Sequence, residues 1–154
     1  MLFITDVQSF IVPAIMIAAA LIYVKRKRGA ILLLAAASAL IVNDFLGHHI
    51  LKELFARTRP CHVLDLLKNV PHCTQSFSFP SNHASNIFTI ATLASLCHKN
   101  TALLAGAAAL MVSFSRIYLG LHYPSDVLGG AFCGIVMGFL GYKFKLYLDR
   151  VFPG

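Results

Sequence analysis

Charge is scarce in this chain. Of its 154 residues only 12% are Asp, Glu, Lys or Arg, against roughly 25% in an average soluble domain. With 58% hydrophobic residues and a mean hydropathy of +0.74, a globule this small has too little interior to hide its apolar side chains. The shortage excludes an ordinary soluble domain and a disordered chain. Acidic residues are scarcer still, 6 against 13 Lys and Arg, and no Asp/Glu/His cluster has the spacing of a divalent-metal site. Cysteine is also sparse: the four cysteines form no CxxC pair, so neither a zinc ribbon nor a thioredoxin-like motif is present. The basic excess forms no stripe or arm, which argues against nucleic acid. Repeats, low-complexity tracts and a second domain are missing as well.

What remains is a polytopic membrane protein, with room for about five spans of roughly 20 residues each. The apolar segments predict an all-α helix bundle with spans at about 7–24, 29–50, 81–98, 101–119 and 126–148, as a single domain over 1–154. The stretch 51–80 is the sizeable extramembrane loop, and Val63–Val70 within it reads as a short interfacial helix. The first segment is followed, not preceded, by Lys25-Arg26-Lys27-Arg28, so it reads as an anchor with its N-terminus outside rather than a signal peptide. Eight cations (Lys25, Arg26, Lys27, Arg28, Lys99, Lys143, Lys145, Arg150) then share one side, which the positive-inside rule makes cytoplasmic. Gly130, Gly134 and Gly138 form a small-residue ridge, expected to pack inside the bundle, with homodimerisation as the alternative.

Three polar clusters interrupt the apolar chain, and the expected topology puts all three on the outer face. The first is Lys52 to Arg59-Pro60; the second is Pro80-Ser81-Asn82-His83; the third runs from Ser115-Arg116 to His122 and Asp126. Lys52, Arg59 and Arg116 place three cations at one membrane level, where an anionic ligand is the economical partner. Arginine forks match phosphate oxygens. Ser81, expected to cap the third span, sits at a helix start that also favours phosphate. His122 with Asp126 nearby is a candidate nucleophile of fixed tautomer. His83 is the candidate acid/base.

These residues resemble the type 2 phosphatidic acid phosphatase (PAP2) superfamily, whose motifs are KxxxxxxRP, PSGH and SRxxxxxHxxxD. The first and third match at every defined position. The second has Asn82 where the family usually has glycine. The resemblance implies a helical membrane bundle and phosphate release through a phosphohistidine, without metal or cofactor. In it His122 is the nucleophile, Asp126 its partner and His83 the general acid. Lys52, Arg59, Ser81, Arg116 and the Asn82 backbone N–H hold the phosphate. The substrate implied is a lipid phosphate or diphosphate. The compact five-span form most resembles the lipid A 1-phosphatase branch; undecaprenyl diphosphate and phosphatidylglycerol phosphate are the alternatives. The resemblance places the enzyme in a bacterial inner membrane, with the site on the periplasmic face and the C-terminus in the cytoplasm. A non-catalytic phosphate-binding protein or transporter would use the same cations but would not need His122 beside Asp126. Haloperoxidase chemistry uses a similar pocket in soluble proteins.

Four further expectations attach to the outer loop and the second span. Arg57, Lys68, His62 and His72 could meet a second anionic group. Asp44, in the second span, has His48 one turn on as a simple partner. Asn43 beside it, like Asp44, is expected to be structural. Cys61 and Cys73 could form a disulfide if the outer side is a periplasm.

Overall fold

The computed structural model describes residues 8–64 and 73–153, with most side chains before Ile22 outside that description. Every described element is helical: α1 (Gln8–Leu46), a π-helical turn (Gly47–Leu51), α2 (Lys52–Phe55), α3 (Pro60–Val63), α4 (Asn82–Cys97), a 3-10 turn (Lys99–Thr101), α5 (Ala102–Tyr118) and α6 (Pro124–Val151). Among the described residues three helices are long and apolar enough to cross a membrane: Ile22–Phe55, Lys99–Tyr118 and Pro124–Val151. The 16 residues of α4 reach about 24 Å, and it is the hub of the bundle, packed on α6, α5 and α1.

The first two expected spans are one helical stretch broken at Arg26, whose backbone (φ 47°, ψ −121°) is not helical. The basic cluster therefore marks a sharp break without a connecting loop. The helix also continues past residue 50. The π-helical turn passes directly into α2, so Lys52 stands on a helix and the outer loop begins at Ala56, whose left-handed backbone (φ 41°) ends α2. Of the expected Val63–Val70 helix, one turn, Pro60–Val63, precedes it; residues 65–70 lie outside the described residues, as do Lys68 and His72.

The packing is inside-out, as a lipid environment demands. Small and polar side chains fill the interior: Ala35, Ala84, Ala109, Thr89 and Ser115 are buried, while Leu103, Leu128 and Phe132 point outward. The glycine ridge of α6 does pack internally. A Cβ on Gly130, Gly134 or Gly138 would collide with the carbonyl oxygen of Ser81, Ser85 or Thr89 on the facing stretch of chain. This close approach sets α6 against α4 and ties their starts together: the Ser81 N–H donates to the Asp126 carbonyl at 3.0 Å. At the opposite end, the Lys27 ammonium donates to the Pro153 carbonyl at 2.9 Å. The basic cluster and the end of α6 therefore share one end of the bundle, and the three polar clusters share the other.

Candidate active site

Proline and a short cap build the centre of the site. Pro124 occupies the first turn of α6, where its missing N–H costs nothing. Tyr123 is the N-cap, so His122 lies just outside the helix and Asp126 just inside it. Asp126 is fully buried, and its Oδ2 accepts the Tyr123 N–H at 2.9 Å. The same oxygen accepts the Ser78 hydroxyl. Oδ1 accepts Arg57 Nη1 at 2.8 Å.

His122 is buried. Its Nδ1 stands 3.7 Å from Asp126 Oδ2 and 3.4 Å from Ser78 Oγ. The closer neighbour is thus the serine, whose hydroxyl touches both the imidazole and the carboxylate. On the far side of the ring, Nε2 is 3.1 Å from Arg59 Nη1. An arginine has no acceptor, so Nε2 carries the lone pair and Nδ1 the proton. Burial pulls the His122 pKa below its ordinary value, and the Asp126 carboxylate opposes only part of that shift. The lone-pair nitrogen of the imidazole thus faces a cluster of cations.

The cations come from three elements. Lys52, on α2, and Arg59, before α3, are both buried and converge on Ser76. Arg59 Nε donates to the Ser76 carbonyl at 2.8 Å and Nη2 to its hydroxyl at 3.0 Å. Lys52 Nζ reaches the same hydroxyl at 3.3 Å. Burial lowers the Arg59 pKa, with Asp126 pulling the other way, and a guanidinium keeps its proton at any physiological pH. Arg116, buried at the end of α5, lies within electrostatic reach of Arg59. His83, in the first turn of α4, shares the field of Arg116, His122, Arg59 and Lys52. Ser81 is the N-cap of α4 but makes no capping hydrogen bond. Its hydroxyl is fully buried without a hydrogen-bond partner, which leaves it available to a ligand oxygen.

All eight expected site residues therefore gather at one end of the bundle. The Asn82 side chain turns away from the pocket: its amide donates to Asp44 Oδ1 at 3.1 Å and to His48 Nδ1 at 2.7 Å. Asp44 and His48 thus act together on Asn82, and Asp44 also accepts Asn86 Nδ2 at 3.0 Å. Asn43 joins the same layer through Asn86 and Ser85. Arg57 is engaged by Asp126, by Ser125 Oγ at 2.6 Å and by the Tyr123 ring at 4.0 Å, so it is committed to the Asp126 carboxylate. The His62 ring donates to the Thr74 carbonyl at 3.2 Å. Cys61 and Cys73 are bridged, with their Cα atoms 6.4 Å apart. Among the described residues one group has the atoms to hold a metal ion, Cys61, His62 and Cys73, and its two sulfurs are those of the bridge. Ser76 and Ser78 were not expected. Their only signal in the sequence is two hydroxyls in the short run Ser76-Phe-Ser-Phe-Pro80 leading to the second cluster.

Known proteins are similar to this chain in sequence and fold. The chain is 35% identical to phosphatidylglycerophosphatase B of Bacillus subtilis, over 93% of this chain and 71% of that protein. It is 30% identical to a lipid A 4'-phosphatase of Porphyromonas gingivalis, over 82% of this chain and 57% of that protein. The fold superposes on the crystal structure of a transmembrane PAP2-type phosphatidylglycerolphosphate phosphatase from Bacillus subtilis, with a TM-score of 0.65 and 31% identity, covering 92% of this chain and 72% of that one. Residues 28–150 match the sequence profile of the PAP2 superfamily, and the chain belongs to that superfamily, among its membrane-embedded lipid phosphatases.

Proposed function

We propose that residues 1–154 form one membrane-embedded domain that removes a phosphate group from a lipid through a phosphohistidine on His122. The observation that carries this reading is the His122 ring, with Nδ1 facing Ser78 and Asp126 and Nε2 facing Arg59. A phosphate entering the cluster competes for the Arg59 fork and frees the Nε2 lone pair. Nε2 then attacks phosphorus while the bond to the lipid oxygen breaks. With the phosphate's negative charge offsetting the cations around it, His83 binds a proton from solvent and gives it to the departing oxygen. Water attacks the phosphohistidine next, His83 takes a proton from that water, and inorganic phosphate leaves with both histidines restored. Lys52, Arg59, Arg116, Ser81 and the Asn82 N–H neutralise the charge of five-coordinate phosphorus.

The chemistry assigned to the chain's own residues completes this cycle, so activity is expected to survive EDTA. Vanadate is expected to inhibit as a mimic of five-coordinate phosphorus. The topology proposed is a bacterial inner-membrane protein with this site on the periplasmic face, supported by the cations gathered at the opposite end.

For the lipid, the first reading is the 1-phosphate of lipid A, from the resemblance to that branch of the superfamily, with undecaprenyl diphosphate also open. Phosphatidylglycerol phosphate is the second reading, favoured by the similarity to the Bacillus subtilis phosphatidylglycerophosphatase along 93% of the chain. The test is phosphate release in detergent from these three lipids. A phosphoprotein trapped by acid quench in wild type and missing in His122→Ala supports the mechanism. Wild-type turnover by His122→Ala overturns it.

A further inference from the structure

The seam between α1 and α6 carries features that phosphate hydrolysis does not use. At the end far from His122, Lys27, Arg28, Lys145 and Asp149 line a cavity of about 290 Å³ together with Phe152 and Pro153 and with Ile31, which is buried. Three of its four charged residues are cations. Lys145 and Asp149 pair at 2.7 Å and neutralise each other. Lys27 is held by the Pro153 carbonyl, a contact that positions the ammonium without cancelling its charge. The cavity is therefore net positive, with Ile31 and Phe152 as apolar lining.

One helical turn further into the bundle, the same two helices line a trough of about 340 Å³, flanked by Ser38, Val42, Leu140 and Phe144. The register connects the two spaces. Ile31 and Ala35 are four residues apart on α1, as are Lys145 and Gly141 on α6, so the trough continues the cavity along the helix axes. Small residues at the crossing make the trough: a Cβ on Gly141 would stand 3.0 Å from Ala39 Cβ. With the helix backbones this close, the larger side chains to either side become its walls. From Arg28 to Lys52 the helix rises about 36 Å, so this cavity and the active site lie near opposite faces of the bilayer.

A positive cavity opening into an apolar trough matches one kind of molecule in a membrane, a lipid with an anionic headgroup. We propose that the α1–α6 seam binds one anionic glycerophospholipid of the leaflet opposite the active site. Its phosphate sits between Lys27 and Arg28, the two cations not neutralised within the cavity, and one acyl chain lies in the trough. Basic pockets between membrane helices recognise such headgroups, and the neutral lining of the trough suits a hydrocarbon chain.

Native mass spectrometry of the full chain in detergent tests this, with phosphatidylglycerol or phosphatidylcholine titrated in. Phosphatidylglycerol is a phosphodiester and has no terminal phosphate for the active site to remove. One molecule is expected to stay bound, at least tenfold more tightly than phosphatidylcholine. The double variant Lys27→Gln/Arg28→Gln should weaken it about thirtyfold. Lys25→Gln/Lys143→Gln removes the same charge from the same end outside the cavity, and should leave binding unchanged. Ser38→Phe fills the trough without altering charge, and should also lose the lipid. Equal retention of the two lipids overturns the proposal, as does equal loss in the two double variants. So does wild-type binding by Ser38→Phe, or displacement of the lipid by millimolar glycerol 3-phosphate.

Discussion

The Arg59 guanidinium stands 3.1 Å from Nε2 of His122, so the nitrogen proposed as nucleophile is held, before any substrate arrives, by the cation that would receive the phosphate. This fixes the tautomer and sets the pH response. Only the neutral imidazole can attack, so the rate is full above the His122 pKa and falls as pH drops through it. Burial lowers that pKa in the free protein, so the acidic limb of kcat/KM should lie below the ordinary histidine value of about 6.5. Arg59→Lys keeps the charge but loses the fork, and should raise KM more than it lowers kcat. A kcat/KM profile with its acidic limb above pH 7 would contradict the assignment.

Ser78 is the hydroxyl closest to the proton-bearing face of His122. It donates to Asp126 and is placed to accept Nδ1–H. Ser78→Ala leaves Asp126 with Arg57 and the Tyr123 N–H, so the carboxylate stays in place while the ring loses its near partner. A neutral hydrogen bond is worth about 1 kcal/mol, so kcat should fall about fivefold to tenfold with KM nearly unchanged. Asp126→Asn should cost far more, because it removes the charge that stabilises the imidazolium. Equal losses in the two variants would show that Ser78 does more than position the ring.

The comparison of sequence with structure divides along physical lines. Lys52, Arg59, Ser81, His83, Arg116, His122 and Asp126 were legible because chemistry demands those residue types in an apolar chain that otherwise excludes them. The all-helical membrane class, with three long apolar helices among the described residues, was legible because bilayer thickness demands long apolar runs. Ser76 and Ser78 were not, because a loop has no periodicity to say which hydroxyl faces inward. Arg57, expected to be open to a second anionic group, is instead taken by Asp126 at 2.8 Å, a partner its loop position does not indicate. The run of helix through the π-helical turn to Phe55 was hidden because His48, His49, Lys52 and Glu53 read as the end of a span. The small-residue ridge on α6 named the packing face but not its partner, which only the approach of the α4 backbone supplies.

Asn82 stands where the family usually has glycine, and its side chain has found partners instead of crowding the pocket. Its amide bridges Asp44 and His48, and Gly47 leaves room for it: a Cβ there would lie 3.1 Å from Asn82 Oδ1. Asn82→Gly restores the family residue and keeps the backbone N–H proposed to hold phosphate. It should retain most of its activity while losing about 1 kcal/mol of stability, since Asp44 and His48 lose the donor they share. Gly47→Ala should lower stability in the wild-type background and have little effect in Asn82→Gly. Thermal unfolding of the two single variants and the double variant measures this, and additive losses would show that the two positions do not communicate.

The Cys61–Cys73 bridge controls the same pocket from outside the membrane. Cys61 follows Arg59-Pro60 directly, and Cys73 begins the stretch that carries Ser76 to the Arg59 fork and the Lys52 ammonium. Closing a loop of this length removes about 3 kcal/mol of chain entropy from the unfolded state. Its larger effect on the site is to keep Ser76 in place, which holds two buried cations in position before phosphate arrives. His122, Asp126 and Ser78 are fixed independently, by the start of α6 and by the Ser78 N–H donating to the Arg57 carbonyl at 2.7 Å. Cys73→Ser should therefore lower the unfolding temperature and raise KM several-fold, while kcat changes little. A thiol reductant should reproduce both effects in the wild type and add nothing in the variant. If kcat falls and KM does not, the bridge supports the nucleophile rather than the phosphate cradle.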